Sequence, residues 1–485
     1  MRLFRRFRVV APAVVVALAA GCFWSDAREP DGAAGRSTAG SASAGAGAST
    51  GASTGTVAVA GTGASASVTA AGVTGTALVR GAPKPLSPAV ERGLAWLLSR
   101  QHEDGGFAQG EETATMGNGM DGVRDRANVA DTCMAALALI RAGSTPSEGR
   151  HAKAIRGALG FVCAEVERAP EEGLSVTSVS GTRVQSKIGS NVDTFLAAML
   201  LAETRGKMPD AAGNKRLMAA LDKVMDKIEK NQRQDGTWDG HGWAPVISQG
   251  LASKAMNRAI VAGADVSEAT LLRATRYSEQ QVAAVTTASP ASGAPAAGEP
   301  ASAGPIVSGG RGYGASGAGG PGDAGVGLYS QGANMGALSD TAANAPALEG
   351  KLRLQLAAAS TPEGRKEAED GIRALSQIRA GQTAAMDTFV ARLDDPGFVS
   401  GFGSNGGEEF LSYMNISETL AQKGGAEWER WDARMAENLA RIQNDDGSFS
   451  GHHCITGRTF CTSAALLVLT ADRAPYPVAS RARGT

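Results

Sequence analysis

A seven-residue signature occurs three times in this chain, each time after a stretch with helical periodicity. Its copies share Gln, two residues, Asp, Gly, one residue and an aromatic side chain: QHEDGGF (101–107), QRQDGTW (232–238) and QNDDGSF (443–449). A stretch with helical periodicity and many small residues follows the first and third copies at a distance, at 130–140 and 458–469, and precedes the second, at 192–202. Internal repetition of this kind is typical of helical hairpins that bury their apolar faces against one another. The repeat therefore predicts an all-α protein.

Apolar periodicity and helix-start signals place six helix pairs in strict alternation. Outer helices are predicted at about 88–101, 146–168, 214–232, 267–283, 362–380 and 427–443. Inner helices are predicted at about 129–142, 190–204, 246–262, 331–357, 407–422 and 459–471. Small residues on the inner helices permit close approach, so the pattern predicts a closed (α/α)6 toroid, or barrel, of six hairpins.

A low-complexity tract at 284–327 falls inside the fourth pair. Four outer helices precede this tract but only three inner ones, so a domain boundary there would open the barrel. We therefore interpret 284–327 as a disordered insertion within one domain at 84–472. A linker between two helical domains is the competing interpretation.

The segment RGLAWLLSRQHEDGGF (92–107) resembles the QW motif of squalene cyclases, which the β subunits of protein prenyltransferases share in looser form. The residues that fall on this motif are Arg92, Gly93, Trp96, Leu97, Gln101, Gly105 and Phe107. The resemblance covers roughly residues 84–472 and implies an α/α toroid whose outer helices surround inner helices that line a cavity. Because the motif describes a turn, it indicates a fold more than an activity.

The two ends of the chain lie outside the repeats. Residues 1–22 resemble a lipoprotein signal peptide, with an arginine-rich start, an apolar run too short to span a membrane, and a lipobox-like sequence ending in Cys22. We expect lipidation at Cys22 and a membrane-anchored lipoprotein of a bacterial cell envelope, periplasmic or outer-surface; ordinary cleavage is the alternative. Residues 23–83 are predicted to be a disordered tether because they cannot bury enough apolar surface, and 473–485 a C-terminal tail.

The catalytic signatures of the resembled families are incomplete in this chain. No DxDD motif occurs, and neither Asp394-Asp395 nor Asp445-Asp446 continues as DDxxD. Asp131-Thr132-Cys133 is similar to the zinc-binding Asp-x-Cys of protein prenyltransferases. However, Cys461 stands where that family would supply a histidine. These departures count against terpene cyclisation and protein prenylation.

Two sets of residues are candidates for a functional site. The first contains ligand types that suit Zn²⁺ or, in an oxidising compartment, disulfides such as Cys454–Cys461 or Cys133–Cys461: Asp131, Cys133, His452, His453, Cys454 and Cys461. The second lies in or near the loops that enter inner helices, where helix N-termini would converge on one mouth: Trp238, His241, Trp243, Glu408, Glu409 and Arg458. Trp238 also has an alternative role as a turn anchor, and the two glutamates as partners of the helix dipole.

Taken together, these observations favour a non-catalytic module that binds an apolar small molecule or a protein, with zinc as the one cofactor considered. A net charge of −1 argues against nucleic acid. The alternative is an active enzyme, either on an isoprenoid or, as an (α/α)6 barrel, on a polysaccharide.

Overall fold

The computed structural model describes residues 83–113, 116, 118–287 and 322–475. Within these residues helices account for 65% of the positions, and the only strands form one two-residue antiparallel pair, β1 (Phe107–Ala108) with β2 (Ala127–Asn128). The protein is therefore mostly helical, as the repeats predict. The expected signal peptide, lipidation site and tether, most of the 284–327 tract and the end of the C-terminal tail lie outside the described residues.

Fourteen α-helices occur in the described part of the chain. In chain order they are α1 Pro88–Leu98, α2 Val129–Arg141, α3 Ala152–Arg168, α4 Arg183–Ile188, α5 Val192–Thr204, α6 Ala211–Lys230, α7 Pro245–Val261, α8 Glu268–Thr287, α9 Gly327–Ala358, α10 Pro362–Arg392, α11 Pro396–Val399, α12 Gly407–Lys423, α13 Ala426–Ile442 and α14 Arg458–Leu469. All twelve helices predicted from the sequence are present, and α4 and α11 are short additions.

Two predicted helix boundaries are wrong. Helix α3 starts at Ala152 rather than near 146, because Thr145 accepts a hydrogen bond from the Glu148 backbone N–H at 2.9 Å and Gly149 takes a φ of +90°. This local turn competes with helix for the same backbone groups. Helix α10 continues to Arg392, twelve residues past the predicted end, so the loop before α12 is shorter than expected.

Six helices form the buried centre: α2, α5, α7, α9, α12 and α14. Each packs against the next in this order, and α14 packs against α2. Helix α1 also packs against α14, so the first and last helix pairs are in contact. Nearly every residue of these central helices is buried over their first three to four turns, on all sides, which explains why their small residues are not confined to one face.

The three signature copies have the same structural role. In each, the Gln side chain donates to the carbonyl four residues later and to a carbonyl in the first turns of another outer helix: Gln101 to Ala154 at 2.8 Å, Gln232 to Thr270 at 2.9 Å and Gln443 to Ala89 at 2.8 Å. The last bond joins the residue that ends the sixth outer helix, α13, to the first outer helix, α1. The Asp of each copy accepts a backbone N–H two residues later, at 2.9–3.0 Å.

The signature glycine cannot be replaced without a clash. Gly105, Gly236 and Gly447 have φ values of +88°, +89° and +91°, and a Cβ would lie 2.3–2.7 Å from a carbonyl oxygen of the neighbouring outer helix. Glycine is therefore required both for the left-handed conformation and for the close approach. The aromatic residue that follows is buried, and its N–H bonds to a side chain of a central helix, as in Phe107 with Thr132 at 2.8 Å.

A layer of buried charges crosses the central helices. It contains three cations and three anions, contributed by five of the six central helices and each at most 5% exposed: Arg141, Lys254, Arg258, Glu203, Asp340 and Glu418. These residues lie 9–13 positions after the start of their helices, or about 14–20 Å along them at 1.5 Å per residue. The layer is neutral overall, and every carboxylate in it is paired.

Candidate functional site

The segments that lead into the six central helices are joined in the same cyclic order as the helices. The joining hydrogen bonds are Arg183 N–H to Gln109 at 3.2 Å, Ala244 N–H to Lys187 at 2.7 Å, Val246 N–H to Gly322 at 3.1 Å, Tyr329 O–H to Glu409, Gly407 N–H to Ile455 at 2.9 Å, and Thr459 N–H to Gln109 at 3.3 Å. The helix N-termini therefore gather at one end of the central bundle. We call this end the mouth end.

Three potential metal ligands meet at the mouth end. Glu408 and Glu409 occupy the first turn of α12, and His453 lies in the segment that leads into α14. Each offers one ligand atom, and these atoms lie within 4.8 Å of one another. In the part of the chain that the structure describes, this is the one such group. We call these three residues the Glu–Glu–His cluster.

Glu409 is fully occupied as a hydrogen-bond acceptor. Its carboxylate accepts from Gly406 N–H at 2.9 Å, Phe402 N–H at 3.1 Å and the Tyr329 hydroxyl, and His453 Nε2 lies 3.0 Å from Oε2. The bond to Gly406 satisfies one of the free N–H groups at the start of α12. Glu409 therefore caps the start of α12, and its expected role as a partner of the helix dipole stays a prediction.

Glu408 is buried, and one of its two carboxylate oxygens has no hydrogen-bond partner. Its Oε2 accepts from Ile455 N–H at 3.2 Å, but its Oε1 makes no hydrogen bond, although the residue is 0% exposed. Burial, together with the adjacent charge of Glu409, raises the pKa of Glu408 to about 7. A carboxyl group in this state can bind either a proton or a cation near neutral pH.

His453 is held at the cluster by its Nε2 atom, which lies 2.9 Å from the Ser404 carbonyl as well as near Glu409. Its Nδ1 makes no hydrogen bond of ordinary geometry. Burial alone would lower the pKa of His453, but the Cys454 side chain and the Glu409 carboxylate raise it to about 10. Cys454 itself has a φ of +52°, an unusual conformation for a residue other than glycine, and it directs the following Ile455 N–H to Glu408.

Aromatic side chains adjoin the cluster. Trp243 packs edge-on against Tyr329 and Phe402, with ring centroids 6.4 Å and 5.7 Å apart, and Phe402 lies 4.8 Å from the His453 ring. Phe402 is 54% exposed, which is unusual for a residue of this size. The Lys187 ammonium lies 5.8 Å from the Trp243 ring. The mouth end therefore presents an exposed aromatic surface beside buried carboxylates.

A second group of buried acids lies at the starts of α2 and α5. Asp193 accepts from Ala130 N–H at 3.0 Å and from the Gln185 amide at 2.8 Å, and burial raises its pKa to about 6. Asp131 is bonded to Asn128 at 2.8 Å, and burial, reinforced by the charges of Glu112 and Asp193, raises its pKa to about 7. Asp193 therefore connects the starts of α5 and α2, whereas Asp131 bonds to the residue that caps its own helix and leaves its Oδ1 without a hydrogen bond.

The structure brings some predicted site residues together and separates others. His453, Glu408, Glu409, Cys454 and Trp243 meet at the mouth end. Trp238 does not join them: it is buried, donates to Ile228 O at 2.7 Å and packs against Phe195, so its turn-anchor interpretation is confirmed. The residues His241 and His452 are exposed and stand outside the cluster, and Arg458 pairs with Glu111 and Asp446.

The cysteines are not arranged as the sequence suggested. All four in the described residues are buried free thiols, so neither the Cys454–Cys461 nor the Cys133–Cys461 disulfide is present. Burial raises the pKa of the Cys133 thiol, whereas the Cys461 thiol donates to Ile455 O at 3.4 Å. Asp131, Cys133 and Cys461 consequently do not form one ligand group within the described residues.

Two residues that adjoin the cluster, Tyr329 and Phe402, were not predicted from the sequence. Tyr329 is 0% exposed in the first turn of α9, and burial next to Glu409 and Glu408 raises its pKa well above the usual range. A signal for Phe402 was available, since it lies in the glycine-rich segment GFGSNGG that precedes Glu408. Tyr329 follows a low-complexity tract, which concealed its association with the site.

Known proteins provide no further assignment. The chain matches no protein-family model, no curated protein and no solved structure. None of the described helices has both the length and the apolar composition that crossing a bilayer requires.

Proposed function

We propose that this chain is an exported lipoprotein, anchored through Cys22, whose helices form an (α/α)6 toroid of the prenyltransferase/squalene-cyclase type. In this proposal the toroid is a non-catalytic module that binds an apolar small molecule or a protein at its mouth end. The observation that carries the proposal is the double cycle of contacts: six central helices pack in order, and the six segments at their N-termini are joined in the same order.

The mouth end has the properties of a binding surface. Phe402 exposes about half of its surface, and its ring packs against the rings of Trp243 and His453. An aromatic ring that already packs against two neighbours can bury further apolar area on binding at a low entropic cost. Farther along the central helices from the mouth end, the neutral layer of ion pairs lies between the helices. A terpene cyclase would need an apolar cavity for its substrate there, so the charge layer counts against cyclase activity.

An active enzyme is the second candidate, and one observation favours it. Glu408 and Asp131 are buried carboxyl groups with pKa values raised to about 7, and such groups are suited to proton transfer. The substrate would be an isoprenoid or a polysaccharide. The sequence lacks the DxDD and DDxxD motifs of terpenoid chemistry, so we place this candidate second.

Binding and turnover can be separated in one set of measurements. The purified protein is titrated with prenyl diphosphates, squalene and oligosaccharides, and each mixture is then examined for products. Phe402→Ala should weaken binding about tenfold, because a partly buried Phe contributes about 1.5 kcal/mol. Leu354→Ala is the matched control, since Leu354 is 71% exposed on the part of α9 remote from the mouth end.

Saturable binding without product, sensitive to Phe402→Ala but not to Leu354→Ala, would support the binding module. Product formation that is abolished by Glu408→Gln would support the enzyme instead. Equal binding by the two alanine variants would show that the mouth end is not the binding surface.

A further inference from the structure

The Glu–Glu–His cluster concentrates negative charge in a buried position. Glu408 and Glu409 are both 0% exposed and adjacent in the chain. Among the described residues, His453 is the one ion-pair partner of Glu409, and no Lys or Arg side chain pairs with Glu408. One histidine beside two neighbouring buried carboxylates leaves one negative charge without a matching cation, which is costly, so such groups usually bind a proton or a metal ion.

The open atoms of the cluster are metal-binding atoms. Glu408 Oε1 is a fully buried oxygen that makes no hydrogen bond, and His453 Nδ1 makes none of ordinary geometry, although the Cys454 side chain interacts with this ring. Buried polar atoms are nearly always satisfied, so an unsatisfied carboxylate oxygen within 4.8 Å of two other ligand atoms indicates a missing partner. A single cation would give Glu408 Oε1 and His453 Nδ1 the partner that they lack, and the Glu409 carboxylate lies close enough to be its third ligand.

The surroundings would hold such ligands in place. Glu409 is oriented by Gly406 N–H, Phe402 N–H and the Tyr329 hydroxyl, and Nε2 of His453 lies near the Ser404 carbonyl. Hydrogen bonds of this kind, from a metal-binding residue to groups outside the coordination sphere, are typical of metal sites and tune their affinity. Glu408 and His453 reach the cluster from two separate segments, so a bound ion would join the starts of α12 and α14.

We propose that Glu408, Glu409 and His453 bind one divalent transition-metal cation, with Zn²⁺ as the favoured ion and Mn²⁺ as the second. One imidazole and two carboxylates suit these ions, whereas Mg²⁺ and Ca²⁺ prefer oxygen ligands alone. Three protein ligands leave a four-coordinate Zn²⁺ with one position for water or for a bound molecule. The proposal goes beyond the binding function above and does not depend on it.

The test uses the full-length protein, treated with a chelator and then titrated with Zn²⁺ or Mn²⁺ by calorimetry. We expect one Zn²⁺ per chain and a rise in melting temperature. Glu408→Gln keeps the side-chain shape, and it should weaken Zn²⁺ binding about 100-fold or more, since even residues outside the coordination sphere cost 10- to 100-fold. His453→Ala should do the same, whereas the exposed neighbour in His452→Ala should bind Zn²⁺ like the unchanged protein.

Cobalt substitution gives an independent measurement that needs no variant, because the visible spectrum of bound Co²⁺ reports its ligands; oxygen and nitrogen ligands without a thiolate are expected. Absence of stoichiometric Zn²⁺ and Mn²⁺ binding would overturn the proposal and leave Glu408 as a protonated acid. Binding that survives both Glu408→Gln and His453→Ala, or that His452→Ala abolishes, would also overturn it. A thiolate-to-cobalt charge-transfer band would show that cysteines bind the metal and would overturn the proposed ligand set.

Discussion

Glu418 holds the buried charge layer together, and its removal should be the most damaging single change in that layer. Its carboxylate lies 2.6 Å from Lys254 Nζ, 2.7 Å from Arg258 Nη2 and 3.7 Å from Arg141 Nη2. Glu418→Gln would leave three buried cations facing only Glu203 and Asp340. Removing one partner of a buried ion pair typically costs about 3–5 kcal/mol, because the remaining charge is neither solvated nor paired.

The pKa of Glu418 gives an independent magnitude. Burial alone would raise it, but the charges of Lys254, Arg258 and Arg141 lower it from 4.5 to about 2. A shift of this size corresponds to about 3 kcal/mol of stability at neutral pH. Because the folded-state pKa is depressed, this stabilisation is present above the unfolded-state pKa of 4.5 and is lost as the pH falls towards 2.

Urea unfolding followed by far-ultraviolet circular dichroism measures the effect. Glu418→Gln should lower the free energy of unfolding by about 3 kcal/mol near pH 6, and the difference from the unchanged protein should shrink by about 2 kcal/mol near pH 3. The control is Glu167→Gln, which breaks an exposed pair with Arg216 at 2.6 Å and should cost less than about 1 kcal/mol. If the two variants lost equal stability, or if the Glu418→Gln deficit did not depend on pH, the reasoning would be refuted.

Three further predictions concern other parts of the chain. Cys22→Ala should move the protein from the membrane fraction to the soluble fraction, and an unchanged membrane fraction would count against the lipid anchor. Thiol titration of the denatured mature protein should give the same count with and without reductant, since four cysteines are free: Cys133, Cys163, Cys454 and Cys461. A lower count without reductant would reveal a disulfide. Gly236→Ala should lower the melting temperature markedly, because a Cβ there would lie 2.3 Å from Arg273 O and the backbone φ is +89°. The control is Gly160→Ala: a Cβ at Gly160 meets open space, so this change should stabilise α3 by up to about 1 kcal/mol. Equal melting of these two variants would contradict the proposed role of the signature glycine.

Local signals in the sequence determined the helices. Ser87 and Thr361 cap α1 and α10, as their positions before Pro indicate, and the periodicity placed every central helix within a few residues. The turn at each signature copy could also be predicted from the sequence, because the contacts that the Gln, Asp and Gly make in all three copies are with residues of the same turn and of one neighbouring outer helix. Helix α3 shows the limit of such reading: a Thr-Pro pair opens a turn there rather than a helix.

The candidate site and the charge layer were decided by the tertiary structure. By sequence, Arg141 is a cation in the last turn of a helix and Glu408 an acid in the first turn, and both fit ordinary helix-dipole roles. Only the rotation of each helix about its axis, set by packing against two neighbours, directs Arg141 to Glu203 and Glu418. Likewise, His453 meets Glu409 because the last two segments of the mouth end are joined through Gly407 and Ile455, a contact between residues far apart in sequence that no local pattern encodes.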